Sequence, residues 1–271
     1  MAFDGIVTKS ITKELKNIIG YKIDKVYEPD KNTVTLGLYG KSSNLMLLIC
    51  ISSNNCRISL TSHPQKNPST APNFCMLLRK YLIGLKIKNI YTIDLERIVF
   101  IDLENNENPN KPICRKLIIE LMGKHSNIIL TDSNNIIIDS MRHTSTLENS
   151  NRDIYPTARY IFPESTKYSF LKLSKFEDFY NAIEPKLIEY IAENSLNIEN
   201  LNVSNFMIDK IISNTFNGIS LSFIQNILKE SNIKEISKNN LELIYNKISE
   251  ILLSSSLDIF LTENQKDYYL Y

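Results

Sequence analysis

The hydrophobic pattern of the chain changes character near residue 176. Before that point, short runs rich in β-branched and aromatic residues predominate, which is typical of strands. They predict nine strands, over residues 22–27, 33–39, 45–52, 57–61, 86–91, 97–103, 115–121, 126–131 and 136–141. Helical spacing predicts two further elements, 8–19 and 73–83, which stop at Gly20 and Gly84. We therefore expect an α+β domain of two packed sheets with flanking helices.

Beyond residue 176 the apolar positions recur at helical spacing. They predict five helices, over residues 175–183, 185–193, 204–212, 221–229 and 236–253. Pro185 is expected in the first turn of its own helix, and Asn73 is expected to cap the second helix of the first half. The polar stretch 104–112 predicts a long hairpin loop. The predicted domains are 1–176, an all-helical 177–254, and a tail at 255–271.

Composition narrows the class of protein. With 271 residues, 43% hydrophobic and 23% charged, the chain has the make-up of an ordinary globular protein. The longest apolar run, 45–51, is far shorter than the ~20 residues that span a bilayer. The N-terminus has no apolar signal region, so we expect a cytoplasmic protein that does not enter the membrane.

The cysteines and histidines indicate neither a metal site nor a cofactor. No CxxC pair is present, and the three histidines fall in separate segments without ligand spacing. We expect reduced packing cysteines and no metal. The residues concerned are Cys50, Cys56, Cys75, Cys114, His63, His125 and His143.

The net charge of +1 conceals two oppositely charged halves. Residues 1–176 carry 24 Lys and Arg against 16 Asp and Glu, which is +8. Residues 177–271 carry 7 against 14, which is −7. A basic half next to an acidic one suggests that the first half contacts a polyanion, although solvated surfaces also produce such a split.

The segment 120–130, ELMGKHSNIIL, has the pattern of a β-hairpin with its turn at Gly123. Glu120, Lys124 and His125 are expected to cluster at an exposed tip, where side chains on a rigid sheet make good contact points. The alternative is a generic turn.

Three other positions are candidates for contacts with phosphate. Arg79 and Lys80 lie near the end of the second helix, where they either contact phosphate or complement the helix dipole. Ser220 opens a helix whose free amides can hold a phosphate.

Glu96 and Arg97 follow a turn and are expected to form an exposed pair.

Several of these motifs together resemble the NFACT family, whose bacterial members are often labelled fibronectin-binding proteins. The resemblance covers nearly all of residues 1–255. It rests on MAFDG at the N-terminus, on 20–23 and 26–29, on the NP and FCMLLRKYLIG motifs within 67–84, on LERI at 95–98, on ELMGKHSNIIL, and on FNGIS at 216–220.

The resemblance implies a fold and an activity. It implies a domain related to the N-terminal domain of formamidopyrimidine-DNA glycosylases, then a helix-two-turn-helix module, with a coiled coil following in longer relatives. It also implies ribosome quality control. In that process, the protein binds large ribosomal subunits obstructed by nascent chain-tRNA and recruits alanyl-tRNA for template-free alanine tailing. The expected partners are tRNA and the large ribosomal subunit, the expected location is the ribosome, and this chain would supply tRNA binding.

The resemblance also assigns site residues. The family's Asp-Arg pair falls on Glu96 and Arg97, and Asp4 matches a family aspartate. The family's tip motif falls on Glu120, Leu121, Met122, Gly123 and Lys124. Two departures matter, because Glu96 is one methylene longer than aspartate and Lys124 replaces the planar fork of arginine with a point charge.

Two other functional classes compete with RNA binding. The glycosylase relatives attack with an N-terminal proline, whereas here Met1 precedes Ala2, and no Ser-His-Asp or Cys-His arrangement replaces that nucleophile. We therefore expect no catalytic residue and no enzyme, with a DNA-binding glycosylase relative as one alternative. The other alternative is a surface adhesin that binds fibronectin, which requires an export route.

Overall fold

The computed structural model describes residues 3–40, 43–63, 65–105, 112–145, 152–193, 207–233, 237–253, 259–261 and 268–270. The chain divides into two compact units. The sheet unit comprises Ile11–Ile93 and Arg97–Glu164, and the helical unit comprises Met1–Ser10, Asp94–Glu96 and Ser165–Tyr271. The sequence-based domain limits at 176 and 254 stay a prediction, and most of the tail at 255–271 lies outside the described residues.

The sheet unit contains nine described strands in the hydrogen-bonded order β4-β3-β2-β1-β5-β6-β7-β8-β9. Every neighbouring pair is antiparallel. The strands are β1 (Lys22–Asp30), β2 (Thr33–Gly40), β3 (Ser43–Cys50), β4 (Arg57–Thr61), β5 (Lys86–Tyr91), β6 (Ile98–Asn105), β7 (Ile113–Glu120), β8 (Asn127–Asp132) and β9 (Ile137–Ser140).

The α+β class with a large antiparallel sheet is confirmed, whereas the expected pair of sheets and the glycosylase-like architecture are not. Hydrogen bonds join all nine strands in one order. The link between β1 and β5 is narrow, because Lys22 and Lys86 are its single registered pair among the described residues. The predicted hairpin loop at 104–112 begins too early, because β6 continues to Asn105. Residues 106–111 lie outside the described residues.

The helix α2 (Asn73–Leu82) lies in the sheet unit and packs on β1. Its buried stripe is Phe74, Cys75, Leu78 and Leu82, at the spacing of one helical face. The predicted Asn73 cap is wrong, because the N-cap is Pro72, which offers no side-chain acceptor. Instead the Glu28 carboxylate of β1 accepts a hydrogen bond from the backbone N–H of Cys75.

The helical unit is organised around aromatic rings. Its helices are α3 (Phe176–Glu193), α4 (Ile208–Thr215), α5 (Leu221–Glu230) and α6 (Lys238–Leu253), while α1 (Gly5–Leu15) runs across the boundary between the two units. The rings of Phe179 and Phe216 stack with centroids 5.3 Å apart, and Tyr245 of α6 approaches Phe179 to 5.6 Å. None of the described helices is long and apolar enough to cross a bilayer.

The helix α3 corrects the prediction of two helices on either side of residue 184. Pro185 lies inside one continuous helix and on its exposed surface. A proline inside a helix removes one backbone hydrogen bond. Ile183 and Leu187, on either side of it, are both buried, and this packing keeps the helix continuous. The short hairpin of β10 (Ile259–Leu261) and β11 (Tyr268–Leu270) is an element that the hydrophobic pattern did not predict.

Candidate nucleic-acid interface

The β7–β8 hairpin presents a short, charged turn. Glu120 pairs with Asn127 at the end of the ladder, and a 3-10 turn, Gly123–His125, closes the hairpin. Gly123 has a φ of +60°, so the glycine predicted from the sequence occupies the left-handed conformation. Lys124 and His125 are exposed. The turn therefore offers an ammonium group and an imidazole to an approaching anion.

Glu120, in contrast, is buried, so its prediction as an exposed tip residue is wrong. Its side chain is fully buried, and Arg152 forms a bidentate ion pair with it at 2.8 and 2.9 Å. The hydroxyl of Tyr160 donates a third hydrogen bond to Glu120, at 2.8 Å. A carboxylate with no access to water is tolerable only with such partners. Glu120 thus supports the turn from inside the sheet unit.

The buried triad of Glu120, Arg152 and Tyr160 is electrostatically consistent. Burial lowers the pKa of Arg152, but the hydrogen bonds and charge of Glu120 raise it above its ordinary value. Burial also raises the pKa of the Tyr160 hydroxyl, and the adjacent carboxylate raises it further. Arg152 therefore stays charged and Tyr160 stays protonated at neutral pH. Sequence reasoning did not assign Arg152 and Tyr160 to the site, since they lie in an irregular segment.

Arg142 is a second residue that sequence reasoning missed. Its guanidinium donates to the backbone carbonyl of Ser126 at 3.0 Å and to that of Lys124 at 3.4 Å, which fixes the C-terminal side of the turn. The same group donates to Asn32 Oδ1 at 2.7 Å and to the carbonyl of Ile51 at 3.0 Å. A planar fork of donors can hold several acceptors at once. Arg142 thus ties the turn to the β1–β2 turn and the end of β3.

The remaining residues of the predicted tip divide between core and surface. Leu121 is fully buried, and its N–H donates to the carbonyl of Arg97 at 2.8 Å. Met122 and the side chain of Arg97 are half-buried. The backbone of Arg97 is therefore attached to the hairpin. A contact of the Leu121 side chain with RNA is disfavoured by its burial.

Arg79 and Lys80 differ in their surroundings. Arg79 is half-buried, and its Nε donates to the carbonyl of Val26 at 3.0 Å. Lys80 is exposed, with its ammonium 5.2 Å from the centroid of the Tyr81 ring. Of the two, Lys80 has the geometry of a phosphate contact.

In the helical unit, Asp4 is a buried structural residue. Its Oδ1 accepts a hydrogen bond from the N–H of Val7 at 3.0 Å, which caps the start of α1. Its Oδ2 accepts one from the hydroxyl of Ser220 at 2.5 Å. Burial raises the pKa of Asp4, while these hydrogen bonds lower it in part. Because Asp4 is only 4% exposed, direct contact with RNA is disfavoured.

Ser220 caps α5, and its hydroxyl donates a hydrogen bond to Asp4. Its oxygen accepts from the N–H of Phe223 at 3.3 Å, as predicted for a residue that opens a helix. A phosphate at this position would meet the Asp4 carboxylate. The geometry therefore disfavours the phosphate contact predicted for Ser220.

Two glycines, Gly5 and Gly218, allow their segments to approach the backbone of Leu95 closely. The N–H of Gly5 donates to the carbonyl of Gly218 at 2.9 Å. A Cβ at Gly5 would lie 1.9 Å from the carbonyl oxygen of Leu95, and one at Gly218 would lie 2.0 Å from it. The carbonyl of Leu95 thus fits only against two residues without side chains.

This close approach holds Glu96, the residue after Leu95, next to the segment that precedes α5. The side-chain amide of Asn217 donates to the carboxylate of Glu96. Glu96 is half-buried, so the prediction of an openly exposed acid is wrong. The conformation of the FNGIS segment, with Gly218 at φ +70°, is what brings Asn217 to Glu96.

The described residues contain no group of three His, Cys, Asp or Glu that could hold a metal ion. The side chains of Cys50 and Cys75 are buried, and those of Cys56 and Cys114 are half-buried.

Comparison with known proteins defines the class. Residues 4–271 match the family described as NFACT N-terminal and middle domains. The chain therefore belongs to the NFACT family, which confirms the resemblance found in its sequence motifs.

Two curated proteins are similar to this chain in sequence. The chain is 34% identical to the Rqc2 homolog RqcH of Bacillus subtilis (strain 168) over 225 residues, covering 82% of this chain and 36% of that protein. It is 34% identical to the Rqc2 homolog RqcH of Streptococcus suis (strain 05ZYH33) over 203 residues, covering 74% and 35%. The chain thus spans about a third of the length of the curated relatives that it matches.

Solved structures with the same fold carry another description. One is the fibrinogen binding protein from Staphylococcus aureus, with a TM-score of 0.75, 26% identity, and coverage of 100% of this chain and 90% of that one. Another is the N-terminal part of the fibronectin/fibrinogen-binding protein from Streptococcus suis, with a TM-score of 0.73, 27% identity and the same coverage.

Proposed function

We propose that this chain is the tRNA-binding N-terminal part of a ribosome quality control factor. The observation that carries the proposal is NFACT membership together with 34% identity to RqcH over most of the chain. The whole protein would bind large ribosomal subunits obstructed by nascent chain-tRNA and recruit alanyl-tRNA for alanine tailing. Its place in the cell would be the cytoplasm, at the ribosome.

The distribution of charge supports a polyanionic partner for the sheet unit. The sheet unit carries 20 Lys and Arg against 13 Asp and Glu, and the helical unit 11 against 17. The imbalance seen along the sequence therefore follows the division into two units. RNA binding through such a surface releases counterions and weakens steeply with salt.

The side chains of the site have different roles in this proposal. Lys124 and His125, exposed at the hairpin turn, would contact phosphate, and the half-buried Arg97 would contact the same RNA. Glu120 would act behind that surface and position the turn, because it accepts hydrogen bonds from Arg152 and Tyr160. In the helical unit, Glu96 and Asp4 would have a structural role, because each accepts a hydrogen bond from a neighbouring side chain.

The same proposal makes the chain a binding protein and not an enzyme. Two of the acidic side chains assigned to the site have structural tasks, since Asp4 caps α1 and Glu120 is paired with Arg152.

Sequencing the RNA that co-purifies with the tagged chain from cells tests the proposal. We expect enrichment of tRNA over total RNA, and a loss of that enrichment in the double variant Arg97→Ala, Lys124→Ala. Lys16→Ala, which removes another exposed cation of the sheet unit, is the matched control and should retain the enrichment. Recovery of no tRNA above the level of an unrelated tagged protein would contradict the proposal.

A second candidate function is fibronectin binding, which is favoured by the name of the solved neighbour from Streptococcus suis. Binding of the purified chain to immobilised fibronectin, with fibrinogen and albumin in parallel, tests it. Saturable binding to fibronectin and not to albumin would support this candidate.

A further inference from the structure

The strands β1, β2 and β3 form a cleft on one face of the sheet, away from the hairpin turn in sequence. Its volume is about 260 Å³. The register explains which residues share this face, since Lys25 lies opposite Gly37 and Gly37 lies opposite Met46. Tyr27 and Thr35 form the next pair on the same face. Further lining residues include Asp24, Asn44, Gln65 and Asn67.

Gly37 leaves the centre of this face without a side chain. A Cβ at Gly37 would lie 3.0 Å from the Cβ of Lys25, closer than neighbouring side chains normally approach. A glycine in the middle of a strand often marks a bulge or the close approach of another group, and Gly37 faces the irregularity of β1 between Ile23 and Lys25. Because Gly37 has no side chain, the floor of the cleft beside Lys25 is backbone.

The lining combines three kinds of chemistry. Tyr27 is half-buried and provides an aromatic ring, while Asn44, Gln65 and Asn67 are exposed and provide amide donors and acceptors. Lys25 adds an exposed ammonium group. Proteins recognise unpaired bases by stacking on an aromatic ring and by hydrogen bonds to the base edges, with a cation for the phosphate. The lining therefore matches the three parts of a nucleotide.

The size of the cleft restricts the ligand. Sites for drug-sized ligands occupy about 300–1,000 Å³, and this cleft is smaller. It accommodates one base and not a stack of several. A base inside a duplex cannot reach such a site, because both of its faces are already stacked.

From this lining we infer that the cleft of β1–β3 binds a single unpaired nucleotide of RNA. The inference rests on the proposed function, since it adds a site for a splayed base to a chain that contacts tRNA. The hairpin turn would contact the phosphates of the RNA, and the cleft would hold a base.

Fluorescence anisotropy with a labelled single-stranded tetranucleotide tests the site on the whole chain, with a longer blunt RNA duplex that contains the same sequence as comparison. We expect Tyr27→Leu to weaken binding of the single strand by about five- to 150-fold, the range found for loss of one stacked base. Tyr81→Leu is the matched control, because Tyr81 is a half-buried tyrosine of the same unit outside the cleft. It should change binding by less than about twofold.

Two further arms keep the result decisive. If Tyr27→Leu does not fold, Asn67→Ala, on an exposed segment, takes its place and should also weaken binding. Ribose 5-phosphate should fail to displace the tetranucleotide where adenosine 5′-monophosphate succeeds, because only the latter carries a base. Equal displacement by both, equal affinity for duplex and single strand, displacement by an unrelated peptide, or an unchanged affinity of the cleft variant would overturn the inference.

The two proposals fail separately. Retained, salt-dependent tRNA binding with no effect of Tyr27→Leu would remove the nucleotide cleft and leave the proposed function standing. Binding of the tetranucleotide in the cleft without binding of tRNA would do the reverse.

Discussion

Replacing Arg152 with methionine is expected to destabilise the sheet unit strongly. The substitution removes two of the three hydrogen bonds to Glu120 and leaves its carboxylate with the Tyr160 hydroxyl as its remaining side-chain donor. The Glu120 side chain has no exposed surface, so water cannot replace the lost donors. The free energy of unfolding should fall because a charge is left buried without its partner.

The magnitude follows from the burial of the pair. Breaking a fully buried ion pair costs about 3–5 kcal/mol. The Arg152 side chain is 18% exposed, which places the expected cost near the lower end of that range, at about 3 kcal/mol. Since a domain is stable by about 5–15 kcal/mol, this is a large fraction of the total.

Urea denaturation, followed by circular dichroism of the wild type and the variants, measures this cost. The triple variant Glu120→Leu, Arg152→Met, Tyr160→Phe is the internal control, because it replaces the buried pair with apolar residues, which is often neutral or stabilising, and leaves no Tyr160 hydroxyl without its acceptor. It should recover most of the stability lost in Arg152→Met. Lys124→Ala, at the exposed turn, should change the free energy of unfolding by less than about 0.5 kcal/mol.

A loss of less than about 1 kcal/mol in Arg152→Met would refute the reasoning, since it would mean that Glu120 reaches water or another donor. A triple variant as unstable as the single one would also refute it, because the cost would then lie in packing and not in the unpaired charge.

Three other predictions follow from the geometry. Gly218→Ala should destabilise the chain far more than Gly123→Ala, although both have positive φ, because only at Gly218 would the added Cβ meet a backbone oxygen, at 2.0 Å; thermal melting of both variants checks this, and equal losses would be contrary to it. Burial raises the pKa of Glu28 above 4.5, so the folded state holds this proton more tightly than the unfolded state does. The wild type should therefore lose stability as the pH rises from 4.5 through the folded pKa. Glu28→Gln should flatten this loss in urea titrations from pH 4 to 8, and an unchanged pH profile would argue against it. Incubation with abasic DNA and borohydride should trap no covalent adduct, as expected of a binding protein without a catalytic amine nucleophile, whereas a trapped band on a denaturing gel would reveal lyase chemistry.

The regular part of the fold could be predicted from the sequence because it is locally encoded. Alternating apolar residues predicted the strands of the sheet unit, and the glycines at 20, 84 and 123 marked turns that adopt positive φ. The continuity of α3 could not be predicted, because a proline normally marks a helix start or break. Burial of Ile183 and Leu187, a tertiary property, overrides that local preference.

The candidate site likewise combines features that are encoded locally with features that depend on tertiary contacts. The position of the hairpin turn follows from local pattern, whereas the burial of Glu120 depends on Arg152, which lies 32 residues further along in an irregular segment. One signal was present in the sequence, since alternation from Ile118 places Glu120 on the face of the hydrophobic cluster. The role of Arg142, which donates to four acceptors in three segments, has no local pattern at all.

Filter binding of tRNA by the whole chain over a series of salt concentrations tests the central claim most directly. The account predicts that the affinity falls steeply with salt, and that Lys124→Ala and Arg97→Ala each weaken binding and reduce the slope of log affinity against log salt by about one, as expected for one lost phosphate contact. Lys16→Ala, another exposed cation, should leave both quantities unchanged. An affinity that is insensitive to salt, or a slope that is the same in all four proteins, would contradict the assignment of this surface to tRNA.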